Sequence, residues 1–335
     1  MHWWPPVWFL RSGMTMSTFE LVISGLAALA LFAYGLQSLS REIEETGGER
    51  LKHLLSRVTE SSVQGYLLGI VATALIQSSS AVSAFTVALV DAGAITLRGS
   101  FAVLLGANVG TTITAWLVSF KVAGIGAFFV VLGMAISMLS RRYALVGRSI
   151  FYFGLILFAL DLVGYALKPL RDHPAVQSIV AVAASPLLGV VVGASLTAII
   201  QASAVVVGLG VLFANQGILE PAAIVPIVVG SNLGSTTTAL LASLGMKANG
   251  RRAAIANTIF NALGVIVILP FLAPVSKFIV SMIADPGMAV AWSHLAFNLM
   301  VSAVGFAAMS PIERIVSRVG SSAMVSAGMS TSSGG

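Results

Sequence analysis

Long apolar stretches that contain almost no charged residue make up most of this 335-residue chain. Only 9% of all residues are charged, whereas soluble domains carry about 25% because their surfaces face water. The stretches are continuous and rich in Leu, Ala, Val and Gly, so they favour helices over the alternating strands of a membrane barrel. The sequence therefore predicts an all-α polytopic membrane protein.

Hydropathy and residue type divide the chain into predicted segments. The segment 1–18 is rich in Trp and Pro and is expected at the membrane interface. Charged residues 41–60 are expected to form a short helix on the membrane surface. The segment 320–335 is rich in Ser and Gly and is expected to be a flexible tail. The predicted full spans are residues 19–39, 100–120, 122–140, 149–167, 222–245, 253–272 and 289–310.

Two further apolar stretches, residues 63–97 and 186–219, have an unusual length. Each is too long for one straight span and too short for two spans joined by a loop. A polar cluster interrupts each near its middle, reading QSSS from Gln77 and QASA from Gln201. We expect two re-entrant helical hairpins, whose turns must be buried in protein or line a wet cavity.

The polar residues of the first half recur in the second half at a fixed offset. Gln77 and Gln201 differ by 124 positions (201 − 77), and the register continues without a gap downstream. There GANVGTT, starting at Gly106, aligns with GSNLGST, starting at Gly230. Polar residues that match in register indicate a duplication, with a re-entrant hairpin and a broken transmembrane helix in each copy. The copies are predicted to cover residues 19–148 and 149–319.

The basic residues predict an orientation for the two copies. If a hairpin adds no crossing, thirteen Lys and Arg fall on one side of the membrane and five on the other. The positive-inside rule marks the first side, which includes the C-terminus, as cytoplasmic in a cell membrane. The copies then start on opposite sides, which makes them inverted-topology repeats as in secondary transporters. Loop charges also account for the net charge of +6 without a nucleic-acid partner.

Polar groups at membrane depth are concentrated in residues 77–80, 108–112, 201–203 and 232–237, none of them Lys or Arg. Helix N-termini attract anions, while carbonyls and hydroxyls suit sodium, so these groups can hold both together. Sodium would then supply the positive charge that the site lacks. Two asparagines of these clusters, Asn108 and Asn232, are candidate substrate ligands. Candidate sodium ligands are Ser79, Thr111, Thr112, Ser203, Ser235 and Thr236.

Other polar residues within the apolar stretches have competing interpretations. Asp91 and Asp161 are functional candidates because acids in a membrane are costly. His294 precedes Asn298 by four residues, and the same spacing separates two asparagines near residue 260. These residues are expected to hydrogen-bond between helices, with a proton relay as the alternative. Single Ser and Thr residues often bond to helix carbonyls, and GxxxG spacings more often indicate close helix packing than ligand contact.

The paired hairpins, each followed by a Gly-x-Asn-x-Gly-Thr/Ser-Thr element, resemble the type II sodium/phosphate cotransporter family. The resemblance covers nearly all of residues 19–310. It implies sodium-coupled symport of inorganic phosphate by alternating access, with sodium as the coupling ion and no other cofactor. By motif match it implies that substrate is bound by Gln77, Ser78, Ser79, Ser80, Gln201 and Ser203.

The sequence departs from this family in two ways. Ala202 and Ala204 replace two hydroxyl residues of the second motif, which leaves the sodium stoichiometry and the preferred anion open. No PhoU-like domain follows the last span, so regulation through such a domain is not expected. Phosphate, sodium and the lipid bilayer are the expected partners, and a homodimer is left open.

Four other functions remain as alternatives. A phosphate exporter, or a sodium-coupled transporter of another small anion, would use the same scaffold. A passive channel is a further class. An intramembrane serine hydrolase would need one of Ser78 to Ser80 as nucleophile and His294 as base. The absence of a Gly-x-Ser-x-Gly motif argues against this enzyme, and no catalytic residue is assigned.

Overall fold

The computed structural model describes residues 18–56, 61–119, 124–140, 143–167 and 185–318. Within these ranges the regular structure is helical and contains no strand. The predicted interfacial segment, apart from Thr18, and the predicted tail lie outside the described residues. The all-helical class expected from the sequence is confirmed for the described part of the chain.

The helices, numbered in chain order, are α1 (Thr18–Ser56), α2 (Ser62–Ile76), α3 (Ser79–Asp91), α4 (Leu97–Gly110), α5 (Thr112–Ser119), α6 (Ile125–Leu139), α7 (Ala144–Leu167), α8 (Pro186–Ile200), α9 (Ser203–Asn215), α10 (Pro221–Ser243), α11 (Ala248–Ile268), α12 (Leu272–Met282) and α13 (Pro286–Ser317). A short 3₁₀ helix, Leu269–Phe271, separates α11 from α12.

Among the described residues, six helical stretches are long and apolar enough to cross a membrane, as a multi-pass membrane protein requires. The arms of the two expected hairpins, together with α6, are shorter apolar helices. The six stretches are Phe19–Glu45, Leu97–Ser119, Ala144–Ala166, Pro221–Ser243, Ala248–Met282 and Pro286–Ser317.

Helix α1 continues without a break through the charged residues that follow the first span. The expectation of a separate surface helix over residues 41–60 is therefore wrong. Leu55, near the end of α1, is fully buried and packs in a cluster with Ile76 of α2 and Val82 of α3. An ion pair between Glu42 and Arg148 also ties this part of α1 to α7. Tertiary packing thus keeps the charged extension in line with the span.

The chain turns at the two predicted polar clusters. Gln77 (φ 58°) and Gln201 (φ 59°) are the two non-glycine residues with positive φ among the described residues. Each donates its backbone N–H to a threonine carbonyl four residues earlier, Thr73 and Thr197, at 2.7 Å. Such a left-handed residue ends a helix, and the next residue is extended before a new helix begins.

The first helix of each pair packs closely on the span that follows the pair. A Cβ atom added at Gly106 of α4 would lie 2.0 Å from the carbonyl oxygen of Tyr66 in α2. A Cβ atom at Gly230 of α10 would lie 2.0 Å from the carbonyl oxygen of Val190 in α8. These glycines therefore serve backbone-to-backbone packing, in both halves at the same register.

A break in the span after each pair was expected, and only the first half has one. There α4 ends at Gly110 and α5 begins at Thr112. In the second half α10 is continuous through its polar cluster, so the expectation is wrong for that copy. Ser235 and Thr236 donate their hydroxyls to carbonyls three residues earlier, at 2.7 and 2.8 Å. This local bonding satisfies the polar groups without opening the helix.

The second helix of each pair ends against the start of another helix. Asp91 accepts the backbone N–H of Gly250 in α11 at 3.4 Å, and Asn215 accepts that of Gly287 in α13 at 3.0 Å. Asp91 and Asn215 are 124 residues apart (215 − 91), while the two glycines are 37 apart (287 − 250). Helices α11 and α13 therefore occupy corresponding places against the two pairs. Asp161, the other predicted acid, accepts the N–H of Gly124 at 3.1 Å.

Candidate functional site

A cavity of about 480 Å³ lies where the two turns meet α1, and we call it the tip cavity. It brings Gln77 and Gln201 to one place, although they are 124 residues apart in the chain. Its lining residues are Leu36, Gln37, Ser40, Arg41, Glu44, Gln77, Ser78, Ser79, Ser80, Thr111, Ile200, Gln201, Ala202, Ser203, Ala204 and Thr238.

The tip cavity separates the predicted site residues into two groups. Those that line it are Gln77, Ser78, Ser79, Ser80, Gln201, Ser203 and Thr111. Those that lie elsewhere are Asn108, Asn232, Thr112, Ser235 and Thr236. The hydroxyls of the second group donate to carbonyls three residues earlier in the chain, and the two asparagines belong to buried contacts between helices.

The cavity wall carries polar groups that have no partner in the part of the chain that the structure describes. The side chains of Ser79, Ser80, Ser203 and Gln201 form no hydrogen bond with any described residue. Ser78 is different, because its hydroxyl accepts the backbone N–H of Ala81 at 3.2 Å and so caps α3. Unengaged hydroxyl and amide groups at one wall can donate to an anion or coordinate a hard cation.

The two glutamines at the turns are held differently. Gln77 donates its Nε2 to the carbonyl of Ala74 at 2.5 Å and accepts the hydroxyl of Thr114 at its Oε1 at 2.9 Å. In the second half, the hydroxyl of Thr238 is buried without a partner, and the Gln201 side chain is exposed to the cavity. The first amide is therefore fixed by the protein, and the second is available to a ligand.

Helix N-termini, with partial positive charge, and helix C-termini, with partial negative charge, meet at the tip cavity. The N-termini of α3 and α9 begin at Ser79 and Ser203, and the C-termini of α2 and α8 end beside them. Ala202 at the start of α9 has no side chain that can cap the first backbone N–H groups. Free N–H groups at a helix N-terminus attract anions, whereas carbonyl oxygens at a C-terminus attract cations.

Helix α1 adds two charged residues to the cavity wall. Arg41 and Glu44 line it together with Gln37, and their spacing places all three on one helix face. The expectation of a site without fixed charge is therefore wrong for the cavity as a whole. Sequence reasoning missed these residues because the first span was expected to end at residue 39. The helical spacing from Gln37 was the one signal that could have found them.

Asn108 and Asn232, which match at the offset of 124, form buried links between helices instead of lining the cavity. Asn108 of α4 donates to the side-chain oxygen of Asn261 in α11 at 3.2 Å. Asn232 of α10 donates to the side-chain oxygen of Asn298 in α13, and its own oxygen lies 3.2 Å from Nε2 of His294. The predicted helix-to-helix hydrogen bonding of His294 and Asn298 is thus confirmed.

Comparison with known families agrees with this geometry. The sequence profile of the family described as Na⁺/Pi-cotransporter matches residues 31–165 and again residues 162–310. The chain belongs to this family. Each match contains one helix pair and the span that follows it. The family resemblance based on the QSSS-type motifs is confirmed.

Several known proteins are similar to this one over most of the chain. YqeW of Bacillus subtilis is 29% identical over 285 residues, which cover 84% of this chain and 92% of YqeW. YjbB of Salmonella typhimurium, described as a proposed inorganic phosphate export protein, is 30% identical over 88% of this chain and 54% of its own length. This chain therefore spans about half of YjbB.

A third relative is similar over a shorter part of the chain. Sodium-dependent phosphate transport protein 2A of Ovis aries is 34% identical over 116 residues, which cover 34% of this chain and 18% of that protein. No solved structure matches the chain.

Proposed function

We propose that this protein is a secondary active transporter that moves inorganic phosphate together with sodium by alternating access. One observation carries the proposal: the turns at Gln77 and Gln201, far apart in the chain, line a single polar cavity. Membership of the Na⁺/Pi-cotransporter family and the phosphate-related names of two relatives support the choice of ions.

Phosphate binds, on this proposal, to donors on both turns. The hydroxyls of Ser79, Ser80 and Ser203 and the amide of Gln201 are unengaged and line the cavity. The N-termini of α3 and α9 add partial positive charge, about half an elementary charge each. Arg41 and Glu44 add one charge of each sign to the wall, so the donors do not balance a phosphate dianion. Co-bound sodium therefore lowers the cost of taking phosphate to membrane depth. That shared requirement couples the two ions.

Sodium binds beside phosphate at the carbonyl ends of α2 and α8. Among the predicted ligands, Ser79, Thr111 and Ser203 line the cavity, so we propose these three. The Thr111 hydroxyl donates to the carbonyl of Ala107 at 3.1 Å, and its oxygen lone pairs stay available to an ion. Thr112, Ser235 and Thr236 do not line the cavity, and their hydroxyls donate to carbonyls three residues earlier in the chain, so we do not propose them as ligands.

We also propose that the helix pairs are re-entrant hairpins within two inverted repeats, residues 19–148 and 149–319. The arms of 15 and 13 residues extend about 22 and 20 Å at 1.5 Å per residue, less than the roughly 30 Å core of a bilayer. Arms of this length support a hairpin that enters and leaves the membrane on the same side. With α6 counted as a crossing, although its 15 residues match the longer arms, the loop charges favour a cytoplasmic C-terminus.

Purified protein in proteoliposomes tests the proposed function. We expect uptake of radiolabelled orthophosphate to saturate and to require an inward sodium gradient. Equal uptake with potassium in place of sodium would contradict sodium coupling, and flux that does not saturate would indicate a channel. Efflux from vesicles preloaded with phosphate, under a reversed sodium gradient, distinguishes a reversible symporter from an exporter.

The hydrolase alternative receives no support from the placement of its residues. His294 would have to activate a serine of the first turn, but it contacts Asn232 and is not among the residues that line the tip cavity. We therefore expect no covalent labelling of this protein by a fluorophosphonate probe.

A further inference from the structure

Arg41 is a charged residue of α1 that no described residue engages. Its neighbours on the same helix are paired: Glu42 with Arg148, and Glu49 with Lys52 at 2.6 Å. Arg41 forms no ion pair and no hydrogen bond with any described residue. Its side chain is exposed at the wall of the tip cavity. The five N–H donors of its guanidinium are therefore free to bind a ligand.

Arg41 also lines a second cavity beside the tip cavity. The second cavity, of about 370 Å³, is lined by Arg41, Glu44, Glu45, Gly48, Glu49, Lys52 and Phe85. Arg41 and Glu44 are the residues that line both cavities. These two side chains therefore lie between the two cavities.

We propose that Arg41 binds phosphate at the mouth of the tip cavity and that Glu44 weakens this binding. The inference rests on the proposed function. A guanidinium matches two phosphate oxygens with parallel N–H bonds, which a neutral hydroxyl cannot do. Glu44, three residues later on the same helix face, repels the anion and keeps its affinity low enough for release. The two residues thus set the phosphate affinity of the transport site with opposite signs.

Substitutions of the two residues separate this role from a structural one. We expect Arg41→Gln to raise the Kd of radiolabelled orthophosphate in detergent with sodium by roughly tenfold, the loss of a charge-assisted hydrogen-bonded pair. Arg41→Lys keeps the charge but loses the parallel N–H donors of the guanidinium, so it should give an intermediate Kd. Glu44→Gln should lower the Kd several-fold, by removing the repulsion. A structural defect would weaken binding in every variant.

Lys247→Gln is the matched control. Lys247 is exposed and lines neither cavity. Its replacement by Gln changes the net charge by the same amount as Arg41→Gln without altering either cavity wall. We expect an unchanged Kd and an unchanged melting temperature. Raising the salt concentration should weaken phosphate binding to the wild type more than to Arg41→Gln.

The outcomes distinguish this inference from the proposed function. If Arg41→Gln binds phosphate like the wild type while uptake stays sodium-dependent, the role of Arg41 is wrong and the transport proposal stands. If Glu44→Gln raises the Kd, the opposing role of Glu44 is wrong. If the wild type neither binds nor transports phosphate, both proposals fail together.

Discussion

Thr114 donates its hydroxyl to the side-chain oxygen of Gln77 at 2.9 Å. Its counterpart Thr238, 124 residues later, is buried without a partner, and the Gln201 side chain makes no such bond. The two halves thus match in backbone geometry at the turns but differ in their polar contacts. The second turn has the unused hydrogen-bonding capacity, so a ligand has more to gain there.

Replacing the turn glutamines by glycine should abolish transport while the turns stay folded. Gln77 and Gln201 have a left-handed backbone, which glycine adopts without the cost of about 1–2 kcal/mol that other residues bear. We expect Gln77→Gly and Gln201→Gly to keep or raise the melting temperature in detergent and to lose phosphate uptake. Near-normal uptake by both variants would contradict the assignment of the site.

Valine at the two threonines should have opposite consequences. Thr114→Val removes a hydrogen bond and leaves Gln77 without its donor, so we expect a loss of about 1 kcal/mol of stability. Thr238→Val removes a buried hydroxyl that has no partner, so stability should be unchanged or higher. Thermal unfolding in detergent measures both, and an equal loss in the two variants would show that the asymmetry is absent in solution.

Alanine at the packing glycines should prevent correct folding. A Cβ atom at Gly106 or Gly230 would overlap a carbonyl oxygen of the neighbouring helix, at 2.0 Å in each case. We expect Gly106→Ala and Gly230→Ala to lose several kcal/mol of stability or to aggregate. Gly47→Ala is the control, because nothing lies within 4 Å of the added atom and alanine favours the helix by about 0.5–1 kcal/mol. Size-exclusion profiles and melting temperatures decide the comparison.

Asparagine should substitute for His294. Asn257 stands 37 residues before His294 (294 − 257), in the corresponding place on α11, and serves a similar buried network there. We expect His294→Asn to keep the link to Asn232 and to unfold near the wild-type temperature. His294→Leu should lose about 1–3 kcal/mol, because it removes the partner of a buried amide. Strong loss of transport by a well-folded His294→Asn would instead favour a proton relay.

A cysteine at Ala202 should report on occupancy of the tip cavity. The chain contains no cysteine, so one introduced thiol reacts without background. Ala202 lines the cavity, and we expect a methanethiosulfonate reagent to modify Ala202→Cys more slowly when phosphate and sodium are both present. Gly245→Cys is the control at an exposed position outside the cavity and should react at one rate in all conditions. No protection at Ala202 would mean that phosphate binds elsewhere.

The sequence alone located the turns, because a polar cluster inside an apolar stretch is costly in lipid unless a special structure receives it. Repetition at an offset of 124 then distinguished Gln77 and Gln201 from ordinary serine and threonine bonds within helices. It could not tell which polar residues near the turns face the cavity. Asn108 and Asn232 carry the same signal as Gln77, yet they link helices in the protein interior.

The sequence by itself determined the helical membrane class, the duplication and the family, because these depend on local hydropathy and on residue spacing. Only the tertiary structure decided that α1 runs on past the first span and brings Arg41 and Glu44 to the two turns. The reason is that the direction of α1 is fixed by distant contacts, the burial of Leu55 and the pairing of Glu42 with Arg148. Neither contact can be inferred from the residues that adjoin α1 in the chain.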